Sequence, residues 1–378
     1  MPIPASVRAL VRATPTIVRL QNRAIISISG SQAAEFLNGL LSTAVTTQPL
    51  RSFYSSFLHA QGRVICDVFV HAMRDDKSQP AYLIEYDATA PTDAPSLLPM
   101  LKRHVLRSKV RVRDASYEYD VWAAWGNDAI TTNPRRWTRT QGGTIEPLWD
   151  SWPWGPDSGA LIDRRADGMG LRRLVRKGDR PQETSTHDEG VLGDYLLHRI
   201  IHGVPEGVAD IPPMQAFPME SNLDVMGALD FRKGCYVGQE LTVRTYHTGV
   251  IRKRVLPVLI HPPPSHTSHP LRDGQPHLQF MPGLDIRASR THAPAEGRVA
   301  RPRGTGNLLS TVKEVGLALL RLEHVEGLER GDLKFELLGG EVDASGNGHD
   351  TQWLVTPWWP DWWPKGVEEE QSTSATNV

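Results

Sequence analysis

Cysteine is nearly absent from this chain: of 378 residues only Cys66 and Cys235 carry a thiol. A disulfide framework is therefore not the expected stabilising device, and a reducing compartment is the better fit. Two thiolates also cannot enclose a tetrahedral thiolate metal site, so a metal or cluster bound through cysteine needs ligands from a second molecule. An excess of one charge is missing as well. The formal net charge is −1, which leaves no global electrostatic drive toward nucleic acid or membrane. No run of eighteen apolar residues occurs, so no transmembrane helix is expected. Phosphate-binding glycine loops, a dinucleotide fingerprint, a zinc-protease helix and a nucleophile elbow are all lacking. Gly304-Thr305-Gly306 is ordinary turn chemistry. What is present is a globular composition, 39% hydrophobic and 22% charged, in a chain long enough for two or three domains.

Hydrophobic periodicity orders the first half. Arg23–Ser29 and Phe53–Leu58 read as strands. Ser31 is placed to cap a helix running through Leu41. Arg63–Met73 is the strongest strand, with Val64, Cys66, Val68 and Val70 on one face and Ile65, Asp67, Phe69 and His71 on the other. Tyr82–Tyr86 is a further strand, Ser96–Leu106 a helix, and Lys109–Arg113 and Tyr119–Ala124 strands. Strand–helix–hairpin–strand–helix–strand order is α+β. Residues 126–187 read as loops packed by tryptophans. The pairs Arg164-Arg165 and Arg172-Arg173 read as solvated arginines beside strands or as a basic surface. Asp188–His202 reads as a helix stopped by Gly203 and Pro205. Val255–Ile260, Val312–Leu322 and Leu333–Leu338 predict a small C-terminal β-barrel. Its first connection, His261 to Pro294, is rich in proline and carries His261, His266, His269, His277 and His292 at spacings too irregular for a metal motif. Trp353, Trp358, Trp359, Trp362 and Trp363 crowd the end and either pack on the barrel or form a partner patch. At the other end, Arg8, Arg12, Arg19 and Arg23 precede the first acid, Glu35. That composition suits a mitochondrial transit peptide remnant and a frayed basic terminus equally.

The most informative segment is Lys233-Gly234-Cys235-Tyr236-Val237-Gly238-Gln239-Glu240. It sets a thiol between two glycines, after Arg232 and Lys233, where a helix begins. Glycines permit tight turns and the close approach of another molecule. Cations and a helix N-terminus favour a thiolate, which attacks electrophiles or binds soft metals; a buried Cys acting as a small hydrophobe is the alternative. Tyr236 can wall the site. Gln239 and Glu240 open the helix, and Arg244 stands at ion-pair spacing from Glu240. Cys66, on the all-valine face, reads as buried and inert. Asp67, an acid beside Ile65 and Phe69, reads as either a ligand group or a carboxylate satisfied by backbone or Arg63.

The octet resembles the signature of the YgfZ-like branch of the GcvT (aminomethyltransferase-like) superfamily. The resemblance spans roughly 23–114 and 190–256, through Phe36-Leu37-Asn38-Gly39 and Gly62-Arg63-Val64, and weakly 295–338. It implies a three-domain α+β architecture: two interleaved α+β domains over 16–254, exchanging near 115 and 190, a C-terminal β-barrel over 255–360, and a mostly disordered tail over 361–378. Eukaryotic members of the branch are mitochondrial iron–sulfur cluster assembly factors. The resemblance thus implies a non-enzymatic protein of the mitochondrial matrix that serves [4Fe–4S] maturation. In it, Cys235 gives one thiolate to a [2Fe–2S] cluster shared with an A-type scaffold protein, and Arg232, Lys233, Gly234, Tyr236, Gly238, Gln239, Glu240 and Arg244 support that thiolate. The superfamily also implies a second reading, a tetrahydrofolate-dependent enzyme with Asp67 in the folate pocket. There Cys66 occupies a slot that the aminomethyltransferases fill with an acid.

Overall fold

Alternation in the first half builds an antiparallel sheet in the order Phe53–Leu58 (β3), Val64–Arg74 (β4), Pro80–Asp87 (β5), Arg23–Ser29 (β2) and Arg111–Asp114 (β6). The structure is a computed structural model that describes residues 1–12, 14–75, 78–89, 94–126, 135–155, 160–263, 280–291, 304–338, 341–342, 348–349 and 352–364. Strand β4 is buried on both faces for most of its length, so its alternation does not separate core from solvent. Asp67 consequently lies inside the protein.

A second sheet runs Ala160–Ile162 (β10), Leu171–Arg176 (β11), Tyr119–Trp125 (β7), Thr16–Arg19 (β1) and Asp188–Glu189 (β12). The chain starts in this sheet with β1, builds the first sheet through β6 and returns with β7, so the two sheets interleave. The region expected as loops therefore holds strands, including the hairpin of Arg136–Arg139 (β8) and Ile145–Leu148 (β9). Each is too short to show a period. Asp188 and Glu189 pair in parallel with β1 instead of opening a helix, and the helix begins after them at Leu192.

The helices are Ala5–Arg8 (α1), Ala33–Asn38 (α2), Leu97–His104 (α3), Leu192–Ile201 (α4), Gly207–Asp210 (α5), Gln239–Thr248 (α6) and Leu322–Glu329 (α7). Helix α2 is shorter than expected, is entered through Gln32 rather than capped by Ser31, and stops at Gly39. The basic N-terminal segment is folded: Val7 is fully buried in a cluster with Ile200 of α4, Val255 and Trp358.

The C-terminal unit is a closed six-stranded barrel, Lys253–His261 (β13), Val315–Arg321 (β16), Gly306–Val312 (β15), Asp285–Arg290 (β14), Leu333–Leu338 (β17) and Gln352–Pro357 (β20). A small pair, Glu341–Val342 (β18) and Gly348–His349 (β19), accompanies it. The strand expected over 312–322 is β16, which begins only at Val315 because Lys313 turns the hairpin from β15 with a left-handed φ of 53°. Strand β14 falls within the long His/Pro-rich connection. The histidines His266, His269, His277 and His292 lie outside the described residues, as does the tail from 365 on. Residues Trp362 and Trp363, assigned to the tail, are packed. Trp362 stacks on Trp137 with ring centroids 6.3 Å apart, and the Arg135 guanidinium lies 5.0–5.4 Å from the rings of Trp149, Trp137 and Trp362. The aromatic end is thus fastened to the body by cation–π contacts as well as to the barrel.

The barrel is tied to the body by buried ion pairs. Arg254 of β13 donates to both carboxylate oxygens of Asp224 (2.5 and 2.8 Å) and to the carbonyls of Met219 and Gly143. Arg199 of α4 pairs with Asp210, which accepts from the Ser310 amide of β15. Between the two sheets lies a larger network. Arg23 of β2, Arg165 and Arg172 of β11 surround Glu85 of β5 and Glu206. Arg165 also binds Asp163. Arg165 and Arg172 are fully buried, which corrects the expectation that they are solvated. Arg172 faces inward from β11, and Arg165, in the turn between β10 and β11, reaches the same acids.

Candidate functional site around Cys235

The octet folds as a tight approach to α6. Gly238 is the residue before the helix and adopts φ +83°. A Cβ there would lie 2.4 Å from the His59 carbonyl oxygen and 2.7 Å from Leu58 Cβ, so only glycine fits. The hairpin turn between β3 and β4 meets the other side: Gly62, at φ +78°, packs against Leu241 of α6. Val237 donates its amide to the Gly39 carbonyl at the end of α2. The motif is thus clamped between the β3–β4 turn and α2.

Most of its side chains are committed to holding this pose. The Lys233 ammonium donates to the carbonyls of Asn38 (2.7 Å), Leu41 (2.7 Å) and Thr43 (3.2 Å) and lies 4.7 Å from the Tyr236 ring centroid. Its three donors meet three carbonyls, that of Asn38 at the C-terminus of α2 and those of Leu41 and Thr43 in the segment that follows. Burial pulls Lys233 down to about 8, so at neutral pH it remains an ammonium. Arg232 pairs with both oxygens of Glu146 (2.9 and 3.3 Å). The two cations expected to support the thiolate are therefore spent on a helix end and a carboxylate. The Tyr236 hydroxyl meets Thr242 at 3.0 Å, and the Tyr236 amide donates to Gln239 Oε1. Glu240 and Arg244 are exposed and do not pair with each other; Glu240 sits in the first turn of α6, where the dipole suits it.

Cys235 is what remains. It is exposed, stands three residues before the residue that caps α6, and makes no hydrogen bond among the described residues. Gly234 beside it has nothing within 4 Å of an added Cβ. The two glycines therefore differ: Gly238 seats the backbone, and Gly234 leaves the thiol's flank open. Nearby, Phe231 stacks on Tyr246 of α6 at 4.3 Å. Cys66 is partly buried against the core, and burial pushes its thiol strongly upward, away from thiolate chemistry.

Removing the Lys233 amine should show how much of the seat it holds. Lys233→Met is expected to lower stability by about 1.5–3 kcal/mol, the range for hydrogen bonds from a charged donor. Urea unfolding of the two proteins measures it. Lys233→Arg is expected to rescue little, because a planar fork cannot reach three converging carbonyls.

A cavity of about 490 Å³ adjoins the motif, walled by Phe53, Tyr54, Trp149, Trp152 and Trp154, with Glu146, Asp230 and Arg232 at its polar side. Asp67 is not on its wall, contrary to the expected pocket role. Its carboxylate is 1% exposed and accepts from the Gly207 amide (2.9 Å) and the Tyr54 hydroxyl (3.2 Å). Burial raises its pKa, with Arg23 only partly opposing. Backbone and tyrosine, not Arg63, satisfy it; Arg63 instead lies over the Phe217 ring. The buried arginines and Glu206, which make the interior polar, carried no sequence signal.

Comparison with known proteins places this geometry. Residues 252–365 match the family model "CAF17, C-terminal beta-barrel domain". A protein of Cryptococcus neoformans named mitochondrial iron–sulfur cluster assembly factor IBA57 homolog is 40% identical over 334 residues, 83% of this chain and 85% of that protein. One of the same name from Mycosarcoma maydis is 34% identical over 386 residues, 94% of this chain and 87% of that protein. Among solved structures, aminomethyltransferase T of the Bartonella henselae glycine cleavage system aligns over 93% of this chain and 87% of its own. Its TM-score is 0.54 at 14% identity, a likeness of fold alone. The α+β body, the closed barrel and these relatives together show that the chain belongs to the mitochondrial IBA57 family, with a GcvT-like fold.

Proposed function

We propose that this protein is a non-enzymatic factor of mitochondrial iron–sulfur cluster assembly that acts toward [4Fe–4S] maturation. Cys235 supplies its one thiolate to a [2Fe–2S] cluster shared with an A-type scaffold protein. The observation that carries the reading is an exposed thiol without a hydrogen-bond partner, in a motif whose neighbouring cations are bound elsewhere. A soft thiolate is the ligand iron–sulfur units require. Among the described residues no group of three or more His, Cys, Asp or Glu is placed to hold a metal. Coordination completed by a second protein fits that arrangement, and the names of the relatives point to the same process.

The test is anaerobic reconstitution of the chain with an A-type scaffold, iron and sulfide. Wild type is expected to form a complex whose visible absorption requires both proteins. Cys235→Ser is expected to reduce that absorption to the level of the scaffold alone. An equally coloured complex from the variant refutes the ligand assignment.

A second reading is favoured by one observation, the aromatic-walled cavity beside the motif. Flat apolar walls with a few polar groups suit a pterin, so tetrahydrofolate is its ligand. Tryptophan fluorescence during titration with tetrahydrofolate decides it: saturable quenching lost in Trp154→Ala supports occupancy, and a flat titration removes the reading.

A further inference from the structure

A second surface owes nothing to Cys235. From the last turn of α3 into β6 the chain reads Lys102-Arg103-His104-Val105-Leu106-Arg107-Ser108-Lys109-Val110-Arg111. Lys102, Arg103, Arg107, Lys109 and Arg111 are all exposed, and none forms an ion pair among the described residues. Two acids follow: Asp114, at the end of β6, accepts from the Ser116 amide, and Glu118 is committed to Arg113 and Arg176. Lys102 and Arg103 complement the C-terminal dipole of α3, but Arg107, Lys109 and Arg111 lie beyond the helix and have no such role.

Leu106 stands at the crest. It is 87% exposed and holds φ +44°, a left-handed conformation in which asparagine or glycine is comfortable and a long apolar side chain is not. The crest is rigidly held. Ser108 donates to the Val105 carbonyl and Val110 to that of Ser108, both at 2.8 Å. The Lys109 amide donates to Gln32 Oε1 at 2.7 Å. Gly30 lets the Lys109 carbonyl approach so closely that a Cβ there would sit 2.3 Å from its oxygen. The fold thus fixes an aliphatic side chain in water with cations on both sides.

We infer that this crest is a contact for an anionic phospholipid surface, with Leu106 entering the boundary between headgroups and acyl chains and the five cations meeting lipid phosphates. An aliphatic tip ringed by Lys and Arg is the pattern of interfacial membrane binding. A nucleic acid would use the cations but offers no apolar phase for Leu106.

Co-sedimentation of the full chain with vesicles tests this. Phosphatidylcholine vesicles are expected to leave the protein in solution. Vesicles with roughly one-third phosphatidylglycerol are expected to pellet it, and less so as salt rises. Arg107→Glu and Lys109→Glu should each weaken binding at least about fivefold. Leu106→Asn, which suits the backbone and leaves the fold intact, should weaken it about tenfold; circular dichroism checks that fold. Absence of binding to the anionic vesicles overturns the proposal, as does binding indifferent to these three substitutions. Retention by single-stranded RNA without vesicle binding also overturns it and reassigns the patch to nucleic acid.

Discussion

Glu206→Ala is expected to destabilise the protein by about 3–5 kcal/mol, the cost of breaking a buried pair by removing one partner. Glu206 lies between the sheets, where Arg172 Nη2 (2.6 Å) and the Tyr195 hydroxyl (2.7 Å) donate to it and Arg165 Nη1 forms an ion pair with it at 2.7 Å. Arg23 lies 3.7 Å away. Without this carboxylate, three buried guanidiniums face one another with fewer acids, Glu85 and Asp163 foremost, to balance them. A loss of that size is a large share of a typical domain's stability, so the variant should be partly unfolded at physiological temperature. Thermal and urea unfolding measure it. The same network sets the acid limit. Burial opposes ionisation of Glu85, but Arg172 and Arg23 outweigh it and hold the group at about 2, below its ordinary 4.5. Glu206 is held well below the ordinary range by Arg172, Arg165 and Arg23 against the same burial. A carboxylate with a lowered folded pKa stabilises above its unfolded pKa and loses that contribution as pH falls through the folded value. Stability should therefore be lost as pH falls from about 4.5 toward 2. Glu85→Gln should flatten that acid limb while lowering stability at neutral pH.

Gly238→Ala is expected to cost about 3 kcal/mol and to abolish formation of the coloured complex. The left-handed φ of +83° is itself unfavourable for alanine, and the added Cβ meets the His59 carbonyl at 2.4 Å. Strain of about 1–2 kcal/mol adds to overpacking of about 1–3 kcal/mol. Relief requires α6 and the segment before it to move away from the β3–β4 turn, which displaces Cys235. Gly234→Ala is the control: with open space around the new methyl, its stability should match wild type. Equilibrium unfolding separates the two, and reconstitution shows whether the thiol's position follows. Equal stability for both variants would contradict the clamped motif.

Much of the fold was legible because alternation is local. The strands β2 to β5 and the barrel strands β13 and β17 appear within a few residues of where their side chains repeat, since period two is imposed by the strand backbone itself. Strands β8 to β11 were not legible: runs of three to six residues broken by Gly and Pro carry too few repeats. The octet was legible as a unit, because glycines and cations bracket the thiol in the sequence. What each residue does was not. Lys233 and Arg232 precede Cys235 along the chain, yet their side chains end on α2 and on Glu146, groups that are neighbours only in space.

By itself the sequence determined the scarcity of thiols, the strand periods and the motif. Tertiary structure alone decided which charges are inside. Arg172 and Arg173 are adjacent in the chain, but Arg172 is buried against Glu206 while Arg173 is only partly buried, and Arg165 is buried against the same carboxylate. Tertiary structure also left Cys235 exposed while sealing Asp67. Burial depends on which distant segment covers a face, and no local pattern of residues encodes that.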